Sequence, residues 1–350
     1  MGNGPSKAEF AQQERARLAA EGNSVGALCQ SLCMTAPLLA HATDYGRMYA
    51  RSTTEQFSVP SITTVIGQQA HSLDGWFSYM GASSLAADPE LPALLGSPAR
   101  IRQAVNKASK AAEIYRDQAA ARGDRVHNYC EQVALRALGR PHRMQECRDE
   151  LASHGEQAFA ARFDEWWELY RVEPLAPEIT VWNKTVGYAG TLDLVARING
   201  RICLIDYKTK GTTRDGTVKA LDDKVVMQLV AGMKAEESLV DPVAGEWEPW
   251  KFGANPMLLA VAIGETEVRP QRANPDVLKH HWWKFCALRR VWEMSADVTA
   301  AGQALMPVPP PSFVSPSLEP ASPSSESASL VPAGAGTRDS GSSLHSTKLA

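Results

Sequence analysis

No stretch of this chain is apolar for long enough to cross a bilayer. The nearest, residues 25–39, is broken by Gln30, Ser31 and Pro37, so no membrane partner is expected. Cysteine is scarce and unpatterned: Cys29, Cys33, Cys130, Cys147, Cys203 and Cys286 include no Cys-x-x-Cys pair and no zinc spacing. With no secretory leader in the opening residues, free thiols in a reducing cytoplasm are the simplest expectation. Met1-Gly2-Asn3-Gly4-Pro5-Ser6 fits the loose myristoylation pattern, but that pattern matches often by chance and nothing else points to a membrane. Excess charge is also missing. Lys and Arg number 36 against 39 Asp and Glu, a net −3, so the bulk composition does not announce a nucleic-acid binder. Basic residues cluster locally instead, at Lys107, Lys110, Arg116, Arg122 and Arg125, then at Arg136, Arg140, Arg143 and Arg148. Such clusters are as readily solvated helix faces as phosphate-tracking surfaces.

What is present is enough apolar residue, 44% of 350 positions, for one large domain or two modest ones. No internal repeat is visible. Residues 1–54 read as a helical lead-in, with Ser6 and Glu9 placed as a capping box for an Ala- and Glu-rich run. Residues 59–65 read as extended and then helical. Helices are expected at 125–138, with Asp124 as N-cap and Gly139 and Pro141 as the stop, and at 146–170, 221–237 and 277–301. Strands are expected at 179–182 and 256–263 and in two arms around Asn199-Gly200. Strands alternating with helices imply an α/β fold, a central mixed β-sheet flanked by helices, occupying 55–302. Residues 303–350 are crowded with Pro, Ser, Gly and Ala, and are expected to form a disordered tail.

The chemistry concentrates in the hairpin. Asn199-Gly200 is the dipeptide a two-residue type I′ turn prefers, because both positions need φ > 0. Cross-strand partners then have numbers summing to 399, which sets Asp193 opposite Asp206. Lys208 lies two residues on and shares the Asp206 face. Opposed like charges destabilise a sheet. Solvated strand carboxylates with Lys208 as a counter-charge would be the ordinary explanation, but Leu192, Leu194, Leu204 and Ile205 surround them with apolar chain. A divalent cation beside an ammonium answers the repulsion economically.

Other candidates are weaker alone. His127 and Glu131 are spaced i, i+4 and share a helical face; imidazole and carboxylate both suit Mg²⁺ or Mn²⁺. Each by itself is an ordinary helix residue. Gln228, among Val225, Val226, Met227 and Leu229, is equally a satisfied core amide or a side chain reaching a phosphate.

Taken together, Gly187-Tyr-Ala-Gly-Thr-Leu-Asp193 followed by Leu204-Ile-Asp206-Tyr-Lys208-Thr-Lys resembles the core of the PD-(D/E)xK nucleases. It is most similar to the RecB-like branch, which includes CRISPR-associated exonucleases and phage relatives. There a histidine-bearing helix precedes the hairpin, as in Arg122-Gly-Asp-Arg-Val-His127-Asn-Tyr-Cys-Glu131, and a glutamine helix follows, as at Gln228. The stretch 59–65 and Trp76 also resemble phage members. The resemblance spans about 55–300 and implies a restriction-endonuclease-like core and metal-dependent phosphodiester hydrolysis. It implies that Asp193, Asp206, His127 and the Tyr207 carbonyl bind Mg²⁺ or Mn²⁺. Lys208 would orient water or stabilise the transition state, Glu131 would position a second ion or a water, and Gln228 would hold the strand.

The implied protein is a DNA exonuclease needing a free end, working beside phage recombination or replication proteins in the host cytoplasm. An endonuclease on the same scaffold and a non-catalytic DNA-end-binding module are the alternatives. Three departures stand out. No proline precedes Asp193. Gly232 occupies a position often tyrosine in this branch, so no nucleic-acid contact is carried over there. Only Cys286 follows the core, so no iron–sulfur cluster is expected.

Overall fold

The computed structural model describes residues 37–70, 72–94 and 96–308. A small antiparallel sheet opens it: β1 (Ala40–Thr43), β2 (Gly46–Tyr49) and β3 (Val59–Pro60). Six helices and the helix ahead of them follow in turn: α1 (Ile62–Ile66), α2 (Asp74–Ala86), α3 (Leu91–Leu94), α4 (Pro98–Ala108), α5 (Ala111–Ala137), α6 (Met144–Ser153) and α7 (Gln157–Leu169). Then come β4 (Glu173–Asn183), β5 (Tyr188–Ile198), β6 (Arg201–Thr209), α8 (Lys224–Met233), β7 (Glu237–Asp241), β8 (Glu246–Pro249), β9 (Met257–Ile263), β10 (Val268–Arg272) and α9 (Leu278–Ala301). The large sheet is ordered β10-β9-β6-β5-β4-β7-β8. Every neighbouring pair is antiparallel except β6–β9, which is parallel and joined through α8 and the β7–β8 hairpin. The chain is therefore mixed α/β, a large mixed sheet flanked by helices, as the sequence implies.

The hairpin register follows from its turn. Asn199 and Gly200 have φ of +47° and +75°, as a type I′ turn requires. Ile198↔Arg201 through Leu194↔Ile205 all sum to 399. One sheet face is covered by α5 to α7. Along α5 the buried set Val126, Tyr129, Cys130, Val133 and Ala134 follows the i, i+3, i+4, i+7 stripe of an amphipathic helix. Along α7, Phe159, Ala160, Phe163 and Trp166 do the same, against Leu194, Ile205 and Tyr207. The other face carries α8, whose Val225, Leu229 and Val230 meet Val181, Leu204 and Leu258. Each such fully buried aliphatic or aromatic side chain contributes about 1.5–3 kcal/mol.

Several boundaries differ from expectation, each for a local reason. The helix expected at 125–138 starts at Ala111, because the Ala-rich run 111–121 carries it through Gly123; Asp124 is thus mid-helix and not an N-cap. The helix expected at 146–170 is two, broken where Gly155 takes φ of +71°. That at 221–237 is shorter, since Glu237 pairs with Trp182 as the start of β7. Strand 179–182 extends to Glu173–Asn183. Residues 40–49 of the supposed helical lead-in are strands, tied down by Trp292 Nε1 donating to the Tyr45 carbonyl at 3.0 Å. The capping box at Ser6, the thiols Cys29 and Cys33, and nearly all of the 303–350 tail lie outside the described residues. Among the described residues, Cys130, Cys147, Cys203 and Cys286 form no disulfide.

The glycine at the position often occupied by tyrosine has a packing reason. A Cβ on Gly232 would stand 2.6 Å from Leu192 Cδ2, so α8 lies on β5 only because that atom is missing. Gly232→Val should lower unfolding free energy by roughly 1–3 kcal/mol through overpacking, read from urea denaturation followed by tryptophan fluorescence.

Candidate active site

The period-2 alternation of β5 slips at Asp193. Leu192 and Val195 both pack on the α8 side, whereas Leu194 and Ala196 pack on the α5 side. The neighbouring strand slips at the same level. Glu178 falls between the pairs Pro177↔Leu194 and Ile179↔Leu192, opposite Asp193, and takes φ of +45°. Asp193 and Asp206 stand one step beyond the last β5–β6 pair, Leu194↔Ile205. Three consecutive strands thus bring Glu178, Asp193 and Asp206 to one level of the sheet.

The carboxylates are held differently. Asp193 Oδ2 accepts the Tyr207 backbone N–H at 2.6 Å and lies 3.7 Å from His127 Nδ1. Asp206, only 3% exposed, has Oδ2 at 2.5 Å from Lys208 Nζ, and the ammonium also donates to the Tyr207 carbonyl at 3.2 Å. The Tyr207 ring anchors this backbone edge-on against Phe163 and Trp166, with centroids 5.4 and 6.2 Å away, and against His127 at 6.1 Å. Glu131 is one helical turn past His127, buried, and accepts from Gln132 Nε2 at 3.4 Å. Burial pushes the Asp206 carboxyl up to about 6, with Asp193 adding to the rise and Lys208 opposing it. Burial alone would lower Lys208, but Asp206 and Asp193 outweigh it and hold the ammonium above its usual range. Glu178 is raised well above the carboxylate range by burial first, then by Asp193, Glu131 and Asp206, with Arg47 opposing.

A cavity of about 270 Å³ opens beside these groups. His127, Asp193 and Gln228, all singled out from sequence, line it, together with Asp124 and Glu178. Asp206 and Lys208 adjoin it through Tyr207, whose N–H reaches Asp193. Also lining it are Arg47 and Tyr49 of β2, Ser61 at the N-cap of α1 and Thr63 within it, and Tyr49 Oη lies 3.0 Å from Thr191 Oγ1. Gln228 therefore faces the cavity and is not a core amide. Among the described residues, no three His, Cys, Asp or Glu side chains converge tightly enough to cage an ion as they stand. No helix among them is long and apolar enough to cross a membrane.

Sequence reasoning missed Glu178 and Arg47. Glu178 was readable: it is the sole acid in the apolar run Leu175–Trp182, and a strand begun at 175 rather than 179 would have included it. Arg47 had no signal, because its place on the cavity wall depends on the N-terminal hairpin folding over the sheet.

No family model matches this chain, and no curated protein matches it. Among solved structures, one reported as "Crystal structure of SSO0001" is 15% identical over 46% of this chain and 74% of its own, with a TM-score of 0.22. A likeness of that size carries no argument about fold or activity.

Two outcomes follow from the electrostatics. For Asp206 the folded pKa is above the unfolded one, so the folded state binds more protons between about pH 4 and 6 and stability falls as pH rises through that window. Urea midpoints of the metal-free protein should show this slope, up to about 3 kcal/mol across the window, and Asp206→Asn should flatten it. Glu178→Gln removes a charge that burial and three carboxylates disfavour. It should raise the urea midpoint at pH 8 in the presence of a chelator, with the gain vanishing at pH 4.

Proposed function

We propose that the protein is a metal-dependent deoxyribonuclease that degrades DNA from an end. The observation that carries this reading is the position of the Lys208 ammonium. It bridges the Asp206 carboxylate and the Tyr207 carbonyl, two hard oxygen donors, at 2.5 and 3.2 Å. Those are the oxygens a divalent cation would use, and Asp193 and His127 flank them. In the metal-free protein the ammonium takes the cation's place and offsets the repulsion between the two aspartates. The donor set of carboxylate, carbonyl and imidazole fits Mg²⁺ or Mn²⁺, held by Asp193, Asp206, the Tyr207 carbonyl and His127. Such an ion supplies Lewis-acid polarisation of a phosphate and eases deprotonation of water.

The chain's own groups do the rest. Lys208, once released from Asp206, would neutralise charge that builds on the phosphate. Glu131, behind His127, orients water or a second ion. Gln228 and Arg47 line the cavity as an amide and a cation suited to phosphodiester oxygens, and hold the strand against the carboxylate row. The choice of a strand end rests on the sequence resemblance. The sequence resemblance adds work beside phage recombination or replication proteins.

Purified protein should degrade linear DNA with Mg²⁺ or Mn²⁺ and stop on chelation. Asp193→Asn and Lys208→Ala should each cost at least about 10²-fold in rate with circular dichroism unchanged, and Lys208→Ala should also lower the melting temperature because it leaves the buried Asp206 without its ammonium. End-labelled linear and covalently closed circular substrates, run side by side, separate end-dependent from internal cutting. Retention of full activity by both variants would overturn the site, and efficient cutting of circles would replace the exonuclease with an endonuclease.

A further inference from the structure

Helix α9 has two unlike sides. Inward, Phe285 is fully buried, meets Tyr188 edge-on and stacks on Trp282, with centroids 4.8 and 5.8 Å away, while Arg289 Nε donates to the Gly187 carbonyl at 2.7 Å. Outward, the next-door Trp283 leaves 54% of its surface in water. Its neighbours at helical spacing are Lys279 and His280 one turn before and Ala287 one turn after, with Lys284 and Arg290 exposed on the same side. Lys279 Nζ lies 4.6 Å above the Trp283 ring, and the His280 ring meets it edge-on at 5.6 Å. From Val277 to Trp292 the chain has no Asp or Glu at all. Arg290 is paired with Glu293 at 2.6 Å, so the cations beside the exposed indole are Lys279 and Lys284.

Trp283 belongs to none of the four buried apolar clusters among the described residues, so its exposed apolar surface is available to a partner. Its combination with basic residues matches one kind of partner. A phosphodiester backbone satisfies the cations, and an unpaired base stacks on the indole face. A duplex offers the phosphates but keeps its bases stacked inside. We propose that this outer face of α9 binds single-stranded DNA, with Trp283 as the stacking platform and Lys279 and Lys284 on the backbone. The inference rests on the nuclease reading for the choice of DNA. On its inner side α9 packs on α1 and α8, the elements that bring Thr63 and Gln228 to the cavity.

The test is fluorescence anisotropy with a labelled single-stranded oligonucleotide and the corresponding duplex, in chelator so that nothing is cut. Trp283→Ala should weaken single-strand binding roughly tenfold. Lys279→Glu combined with Lys284→Glu should weaken it further and make the slope of log affinity against log salt shallower by about 2. Circular dichroism and melting should be unchanged, and the maximal cleavage rate at saturating DNA should stay at the wild-type value. Unchanged single-strand binding by both variants overturns the proposal while leaving the nuclease reading standing. A loss confined to binding of phosphatidylserine vesicles, or a self-association seen by sedimentation that the variants abolish, also overturns it. Failure of the wild-type protein to bind any DNA form overturns the nuclease reading and this inference together.

Discussion

Negative charge crowded into a sheet interior is the constraint around which this protein is built. Glu178, Asp193 and Asp206 come from three consecutive strands at one level, and Asp206 is almost wholly removed from water. An unpaired carboxylate there would cost several kcal/mol. The fold meets this with one ammonium, one backbone N–H and a strand distortion. Lys208 faces Asp206, the Tyr207 N–H reaches Asp193, and Glu178 adopts a left-handed backbone conformation that β-strand residues rarely take. The alternation slip at Asp193 is part of the same solution. It lets Leu192 and Leu194 reach opposite cores while the carboxylate between them faces the cavity.

The surrounding packing makes that arrangement rigid. Tyr207 is pinned by Phe163, Trp166 and His127, so the carbonyl and N–H on either side of it have fixed directions. Gly232 and Gly190 bring α8 and α1 close to β5, Gly190 because a Cβ would meet the Ile62 side chain. Those two contacts place Gln228 and Ser61 on the cavity. Arg51 locks the N-terminal hairpin over the sheet edge, between the Trp182 and Trp247 rings and at 2.7 Å from Glu237, so Arg47 keeps its station opposite the acids. Stability and site chemistry therefore share the same residues, and strain is concentrated where charge is concentrated.

How much was readable beforehand differed by element. The hairpin register was fully legible, because a type I′ turn at Asn199-Gly200 leaves no freedom in which residues face each other. The start of α5 was not, because Gly123-Asp124 imitates a helix boundary and only the Ala-rich run before it carries the helix through. The strands β7, β8 and β10 were missed: at the two edges, Glu246–Pro249 and Val268–Arg272 are short and polar, and they are strands only because a neighbour supplies the ladder. Glu178 was hidden by a strand boundary set at 179 where the strand begins at Glu173.

Local chemistry along the chain was thus sufficient for the α/β class, the hairpin, and the association of Asp193, Asp206 and Lys208, since turn type and period-2 spacing act over a few residues. It was also sufficient to mark His127 with Glu131 at i, i+4 on one helical face, and Gln228 among apolar neighbours. That both face one cavity, that Glu178 joins the acids, that Lys208 spans a carboxylate and a carbonyl, and that Arg47 closes the far wall were settled by tertiary packing. Each of these depends on the distance between elements far apart in sequence, which is governed by how helices and strands bury their apolar faces and by no local preference.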